Sequence, residues 1–172
     1  MSRPPEIRPP EKLSAKHDVS GFESGEPVLD EWLRRRALKN EASGASRTYV
    51  VCADRKVVGY YTLAVGAVAL VEATGRVRRN MPDPLPVMVL GRLAVDKEHQ
   101  RRGIGTALLR DAILRTVQAA EIAGIRAILV HALSDSAKHF YEEWGFVASP
   151  VDPLTVMITV TEAVTMLGMK DH

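Results

Sequence analysis

A chain of 172 residues is the size of one domain, and 46% hydrophobic with 26% charged residues is the balance of a folded protein rather than a disordered one. A net charge of only +2 excludes wholesale attraction to nucleic acid, so any basic footprint must be local. No stretch is apolar for long enough to span a bilayer.

The first twelve residues, MSRPPEIRPPEK, hold four prolines and predict an extended arm over 1–12. They contain no apolar core of the kind a secretory signal needs. Next, SGFESGEPVLDEWLRRRALKN reads as a turn and one helix. Pro27 suits the first helical position, and Leu29, Trp32, Leu33 and Ala37 form a single apolar stripe. RTYVVCADRKVVGYYTLAVGAVAL predicts two strands joined at Asp54–Arg55–Lys56. Cys52, the lone cysteine, sits in the apolar run from Thr48 to Ala53 and reads as a small buried hydrophobe. With no disulfide framework, the chain suits the reduced cytoplasm.

EATGRVRRNMPDPLP predicts an irregular charged loop. Val87–Val95 follows as a strand apolar on both faces, with Gly91 hinting at a bulge or a close approach. A long amphipathic helix begins near Gly103 and stops at Gly124. RAILVHAL is the next buried strand. Ser134 caps a short helix whose Ala137, Phe140, Tyr141 and Trp144 share a side, and Gly145 ends it. TVMITVT alternates and reads as a last strand, with 162–172 a short helix or tail. The strand–helix–strand unit from Val87 to Leu133 demands two parallel strands, and the hairpin before it demands antiparallel pairing. The prediction is an α/β or α+β layered domain, with a mixed sheet and helices on both faces.

The stretch Asp96–Ala112, DKEHQRRGIGTALLRDA, carries the chemistry. Gly103 and Gly105 allow a tight turn into a helix whose first N–H groups lack intrahelical acceptors. Arg101 and Arg102 add forked cationic donors. Placed at the carboxyl end of a buried strand, such a turn suits a pyrophosphate. Neither the P-loop pattern nor a G-x-G-x-x-G is present.

LAVDKEHQRRGIG resembles the Gln/Arg-x-x-Gly-x-Gly/Ala signature of the GNAT N-acetyltransferases, with Gln100, Gly103 and Gly105 in the defining places. AKHFYEEWGF resembles the helix after the splayed strand of that fold. Together with VLDEWLRRRALKN and GRVRRNMPDPLPVMVLGRLAVD, the chain is most similar to the acetyltransferase toxins of bacterial toxin–antitoxin pairs. The resemblance covers 13–161 and implies a GNAT fold there, with a splayed parallel strand pair. It implies acetyl-CoA as co-substrate, no metal, and acetylation of the α-amine of aminoacyl-tRNA, which blocks translation. It also implies a ribbon-helix-helix antitoxin and a homodimer, in the cytoplasm and away from membranes.

Residue by residue, the resemblance assigns donor binding to Leu93, Ala94, Val95, Gln100, Arg101, Arg102, Gly103, Ile104, Gly105 and Thr106. Tyr141 becomes the general acid; without the resemblance, a core aromatic fits it equally well. Positions like Arg34, Arg36, Arg78, Arg79 and Arg92 are basic in such toxins and imply contact with tRNA phosphates. The other reading of the helix arginines is solvation or pairing with Glu31 and Glu41, and Arg92 has the alternative of a carboxylate partner inside the fold. No side chain stands out as general base. His131 is a candidate, but it reads better as a packed strand histidine, and a water suffices for an amine of this kind. The rival functions are a small-amine or protein-lysine acetyltransferase of the same fold, and a non-catalytic acyl-CoA-binding module.

Overall fold

The computed structural model describes residues 6–170. Residues 1–5 of the predicted arm, and Asp171 and His172 of the predicted tail, lie outside them. The chain forms two compact units, each built from interleaved segments.

The first unit comprises residues up to Ala64 together with Arg92–Asp111. Strand β1 (Glu11–Lys12) pairs antiparallel with β2 (Arg47–Ala53), and β2 with β3 (Lys56–Val68) in the register Tyr49↔Tyr61. The hairpin turns at Asp54, which takes a φ of 58°. The predicted single helix is two, α1 (Pro27–Arg35) and α2 (Ala37–Ser43), broken at Arg36 (φ −121°, ψ −25°). The apolar stripe continues across the break. Leu29, Trp32, Leu33 and Ala37 are all buried, but the next turn offers only Asn40 and Glu41. Trp32 stacks on Tyr60 with 6.0 Å between centroids and 9° between planes. The Tyr60 hydroxyl donates to the Leu29 carbonyl at 2.6 Å, which satisfies a phenol sealed in apolar surroundings.

Cys52 is buried in this core, and desolvation pushes its thiol up to about 11. The native protein at pH 8 should therefore resist iodoacetamide, whereas the unfolded chain alkylates within minutes. Rapid native labelling in a mass spectrum would contradict that placement.

The second unit comprises Val65–Gly91 and the residues from Ala112 onward. The loop predicted as irregular contains one helical turn, α3 (Gly75–Arg78), because Thr74 caps it by accepting the Val77 N–H at 3.3 Å. Val77 then anchors the turn in a cluster with Leu85, Val87, Leu129 and Met157. Strand β4 (Leu85–Val95) starts two residues earlier than predicted and runs parallel to β5 (Ala127–His131). The helix between them is α4 (Ile104–Ala123), and Gly124 at φ 70° ends it.

Helix α5 (Asp135–Glu142) begins at the Ser134 cap, whose Oγ accepts the Ala137 N–H at 3.2 Å. Beyond it come β6 (Val147–Ala148), β7 (Thr155–Thr159) and α6 (Val160–Lys170). The sequence reading missed β1 and β6, which are two residues each and carry no period. The alternation of TVMITVT is not one of burial: all five residues of β7 are buried, because β5 and β6 flank it and helices cover it. The threonine hydroxyls that produced the apparent alternation are satisfied internally, by Asp152 and by Glu162. Taken through both units, the strand order is β1-β2-β3-β4-β5-β7-β6, a mixed sheet whose parallel pair is β4–β5.

Candidate active site

The glycine turn lies wholly in the first unit. After β4 the chain makes a short 3-10 turn, Lys97–His99, capped by Asp96, whose Oδ1 accepts the Glu98 N–H at 3.1 Å. Asp96 is 3% exposed, and its Oδ2 also accepts the Glu23 N–H at 3.1 Å. Gln100 donates its side-chain amide to two carbonyls, Ser24 at 2.8 Å and Val95 at 2.9 Å. The loop of residues 22–24 is thereby fastened to the strand end. Arg34 reinforces it by donating to the Phe22 carbonyl at 2.6 Å, and Asp30 by accepting from the Ser24 hydroxyl at 2.6 Å. Gln100 thus braces the turn rather than facing a ligand with its amide hydrogens. Asp96, its companion, was missed in the sequence, although an Asp before Lys-Glu-His carries a legible cap signal.

Arg101 (φ 64°) and Gly103 (φ 80°) both take left-handed conformations. The first intrahelical bond of α4 runs from the Ala107 N–H to the Gly103 carbonyl at 3.0 Å, so the N–H groups of Ile104, Gly105 and Thr106 have no acceptor within the helix. A Cβ built on Gly103 would meet nothing within 4 Å, which means the turn faces open space. Arg101, Arg102 and Thr106 are exposed, whereas Ile104 is buried and anchors the helix start. Gly59 on β3 permits this anchoring: a Cβ there would stand 3.1 Å from both Ile104 Cγ2 and Leu108 Cδ1. Beside the turn lies a groove of ≈ 300 Å³ lined by Ile7–Pro10, Val51 and Arg102–Ile104.

Strand β4 changes its bonding pattern along its length. Pro86 directs its carbonyl to Arg126, just ahead of β5, while Asp96 directs its N–H to Val58 of β3. Residues of equal parity in a regular strand face the same neighbour. The alternation is therefore interrupted between them, and Gly91, the first residue past the last β5 partner Leu90, lies in that interval. Beyond it, Ala94 turns its backbone to β3, with its carbonyl 3.5 Å from the Gly59 Cβ position. Leu93 and Val95 consequently point their N–H and C=O groups away from β3, and Gln100 takes the Val95 carbonyl.

Tyr141 belongs to the second unit. Its ring is 5% exposed, edge-on to Phe140 at 5.2 Å and tilted against Phe146 at 5.6 Å. Among the described residues its hydroxyl has no hydrogen-bond partner, yet it is not sealed from solvent. Burial pushes its pKa upward, so it holds its proton throughout the neutral range.

The arginines divide into two kinds. Arg36, Arg78 and Arg79 are exposed, and among the described residues none is ion-paired. Glu41, one of the two expected partners of the helix arginines, instead forms an ion pair with Lys12 at 3.4 Å and accepts the Thr48 N–H at 2.9 Å. Arg92 has no carboxylate partner among the described residues; its guanidinium lies 4.0 Å above the Trp32 ring. Burial draws its pKa below the usual guanidinium value. Among the described residues its forked donors have no hydrogen-bond partner.

One further cluster has the residue types of a metal centre: Glu11, His17 and Cys52 place a ligand atom each within 4.8 Å of one another. Both His17 nitrogens are already engaged, Nδ1 by the Ser14 N–H at 2.9 Å and Nε2 by Glu11 at 2.8 Å. The cluster thus ties the N-terminal segment to β2.

The GNAT acetyltransferase domain family matches residues 44–148. The "tRNA-acetylating toxin" of Mycobacterium tuberculosis is 55% identical over 159 residues, covering 92% of this chain and 96% of that protein. Among solved structures, "AtaT complexed with acetyl-methionyl-tRNAfMet" superposes with a TM-score of 0.86 at 26% identity, over 95% of this chain and 99% of that one. The crystal structure of "AtaTR bound with AcCoA" gives 0.79 at 26%, over 94% and 98%. A signature turn read from thirteen residues, a mixed sheet whose parallel pair parts beyond Leu90, and a relative alike along nearly its whole length agree: the chain is an acetyltransferase of the GNAT family.

Proposed function

We propose that this enzyme moves the acetyl group of acetyl-CoA to the free α-amine of aminoacyl-tRNA, and that it acts as the toxin of a toxin–antitoxin pair. The observation that carries the reading is the 55% identity, over 92% of the chain, to a protein called a tRNA-acetylating toxin.

The residues fit the donor. The open, left-handed turn at Gly103 and the unpaired amides of Ile104, Gly105 and Thr106 suit a pyrophosphate, with Arg101 and Arg102 supplying charge. Leu93 and Val95 offer backbone groups to the pantetheine amides, and an N–H there polarises the thioester carbonyl as charge builds on its oxygen. Acetyl-CoA supplies the activated acyl group. Tyr141 donates its phenolic hydrogen to the sulfur as the thiolate departs. Arg36, Arg78 and Arg79 hold tRNA phosphates, and so does Arg92 from its place above Trp32, with Arg34 contributing the donors left after Phe22. Such contacts make binding salt-sensitive.

The acceptor chemistry favours an α-amine over a lysine. A lysine amine, with pKa near 10.4, is almost wholly protonated at pH 7, whereas an α-amine near 8 is much less so. An adjacent ester lowers it further. A ribbon-helix-helix antitoxin, a homodimer and a cytoplasmic location complete the reading. The exposed apolar residues Val164 and Met169 on α6 provide a surface for the second copy.

Labelled acetyl-CoA incubated with the protein and charged bulk tRNA should place label on aminoacyl adenosines after nuclease digestion. Label confined to proteins or polyamines would transfer the assignment to a lysine or small-amine acetyltransferase.

A further inference from the structure

His131 is the last residue of β5, one beyond Val130, whose partner Leu90 is the last β4 residue that β5 pairs. It therefore stands at the carboxyl end of a parallel strand, where the pairing of two parallel strands stops, and open sheets take up ligands at such points. The residue is exposed, and three positions later Ser134 caps the helix that carries Tyr141.

A relay of hydrogen bonds fixes this ring. His131 Nδ1 lies 2.9 Å from Thr155 Oγ1, and the Thr155 hydroxyl donates to Asp152 Oδ2 at 2.8 Å. Asp152 Oδ1 accepts the Leu154 N–H at 3.1 Å. These bonds hold the Asp152 carboxyl below the usual carboxylate range, so at neutral pH it is ionised and can only accept. A hydroxyl has one hydrogen, and Thr155 has given its hydrogen to Asp152. Toward the imidazole it can only accept, which puts the ring proton on Nδ1 and leaves the lone pair on Nε2. Among the described residues, Nε2 has no partner.

We infer that His131 is the general base of the transfer, with Thr155 and Asp152 as positioning residues that hold its tautomer. The inference rests on the proposed acetylation of aminoacyl-tRNA. The amine lone pair forms the C–N bond to the thioester carbon. The C–S bond breaks, the surplus N–H proton passes to His131 Nε2, and the thiolate takes the Tyr141 proton. Both side chains return to their starting states by exchange with solvent. The accumulated positive charge on the imidazole is answered by Asp152, the charged group that faces it across Thr155. Bases of this kind typically contribute on the order of 10²–10⁴-fold.

His131→Ala should lower kcat on aminoacyl-tRNA by about 10²-fold with little change in either KM, and added imidazole should restore part of the loss. Thr155→Val keeps Nε2 but removes the relay, and should cost about 10-fold without imidazole rescue. Independently of activity, long-range nitrogen–proton NMR of the free protein should show the Nδ1–H tautomer for His131, and the Nε2–H form gaining in Thr155→Val. Activity of His131→Ala within about threefold of wild type, a loss that imidazole does not touch, or an Nε2–H tautomer in the wild type would each overturn the assignment. A wild-type enzyme that leaves aminoacyl-tRNA unlabelled but acetylates another amine removes the proposed substrate instead, and the two failures are told apart by that control.

Discussion

Tyr141→Phe should lower the rate of acetyl transfer to aminoacyl-tRNA by about 10³-fold and leave acetyl-CoA affinity close to that of the wild type. The expectation follows from where the hydroxyl is and what it lacks. The ring packs against Phe140 and Phe146, and phenylalanine reproduces that packing. The hydroxyl makes no hydrogen bond to the described residues, so its removal orphans no partner, and the melting temperature should barely move. The loss is confined to stabilising the departing thiolate. Single-turnover kinetics, calorimetric titration with acetyl-CoA and a thermal melt separate the three quantities. An unchanged transfer rate removes Tyr141 from the chemistry. A large fall in affinity makes it a binding residue instead.

Gly103→Ala should weaken acetyl-CoA binding by about 10²-fold while costing the free protein only about 1–2 kcal/mol. At φ 80° a side chain is strained whatever surrounds it, but a Cβ there meets no protein atom within 4 Å. The fold pays only for the backbone conformation, whereas a pyrophosphate seated against the turn would collide with the methyl group. Gly124→Ala is the control. It has φ 70°, ends the same helix and is equally unobstructed, so it carries a similar strain without touching the turn. Titration of both variants with acetyl-CoA, alongside their melts, decides the point. Equal affinities for the two would mean that the diphosphate lodges elsewhere.

The features legible in the sequence are those written within a few residues of themselves. Ser134 announces α5, Gly124 ends α4, and the Q-R-R-G-I-G-T run gives the turn, because caps and left-handed glycines act through neighbours three or four positions away. The same locality explains what the pattern did not show. The break at Arg36 and the burial of both faces of β7 depend on what packs against those segments, which a periodic pattern does not contain.

By itself, the sequence determined the order of the main elements, the parallel pair with its crossover helix, and the family to which the donor turn and AKHFYEEWGF point. Tertiary structure alone decided how that turn is held. Gln100 reaches Ser24 across 76 positions and Asp96 reaches Glu23 across 73, separations at which no local rule names a partner. Only folding could also set Arg92 over Trp32 and bring Thr155 to the His131 ring. The physical reason is common to all three. Hydrogen bonds and ring contacts need approach to within a few ångströms, and for residues far apart in the chain that approach is a property of the sheet rather than of the sequence.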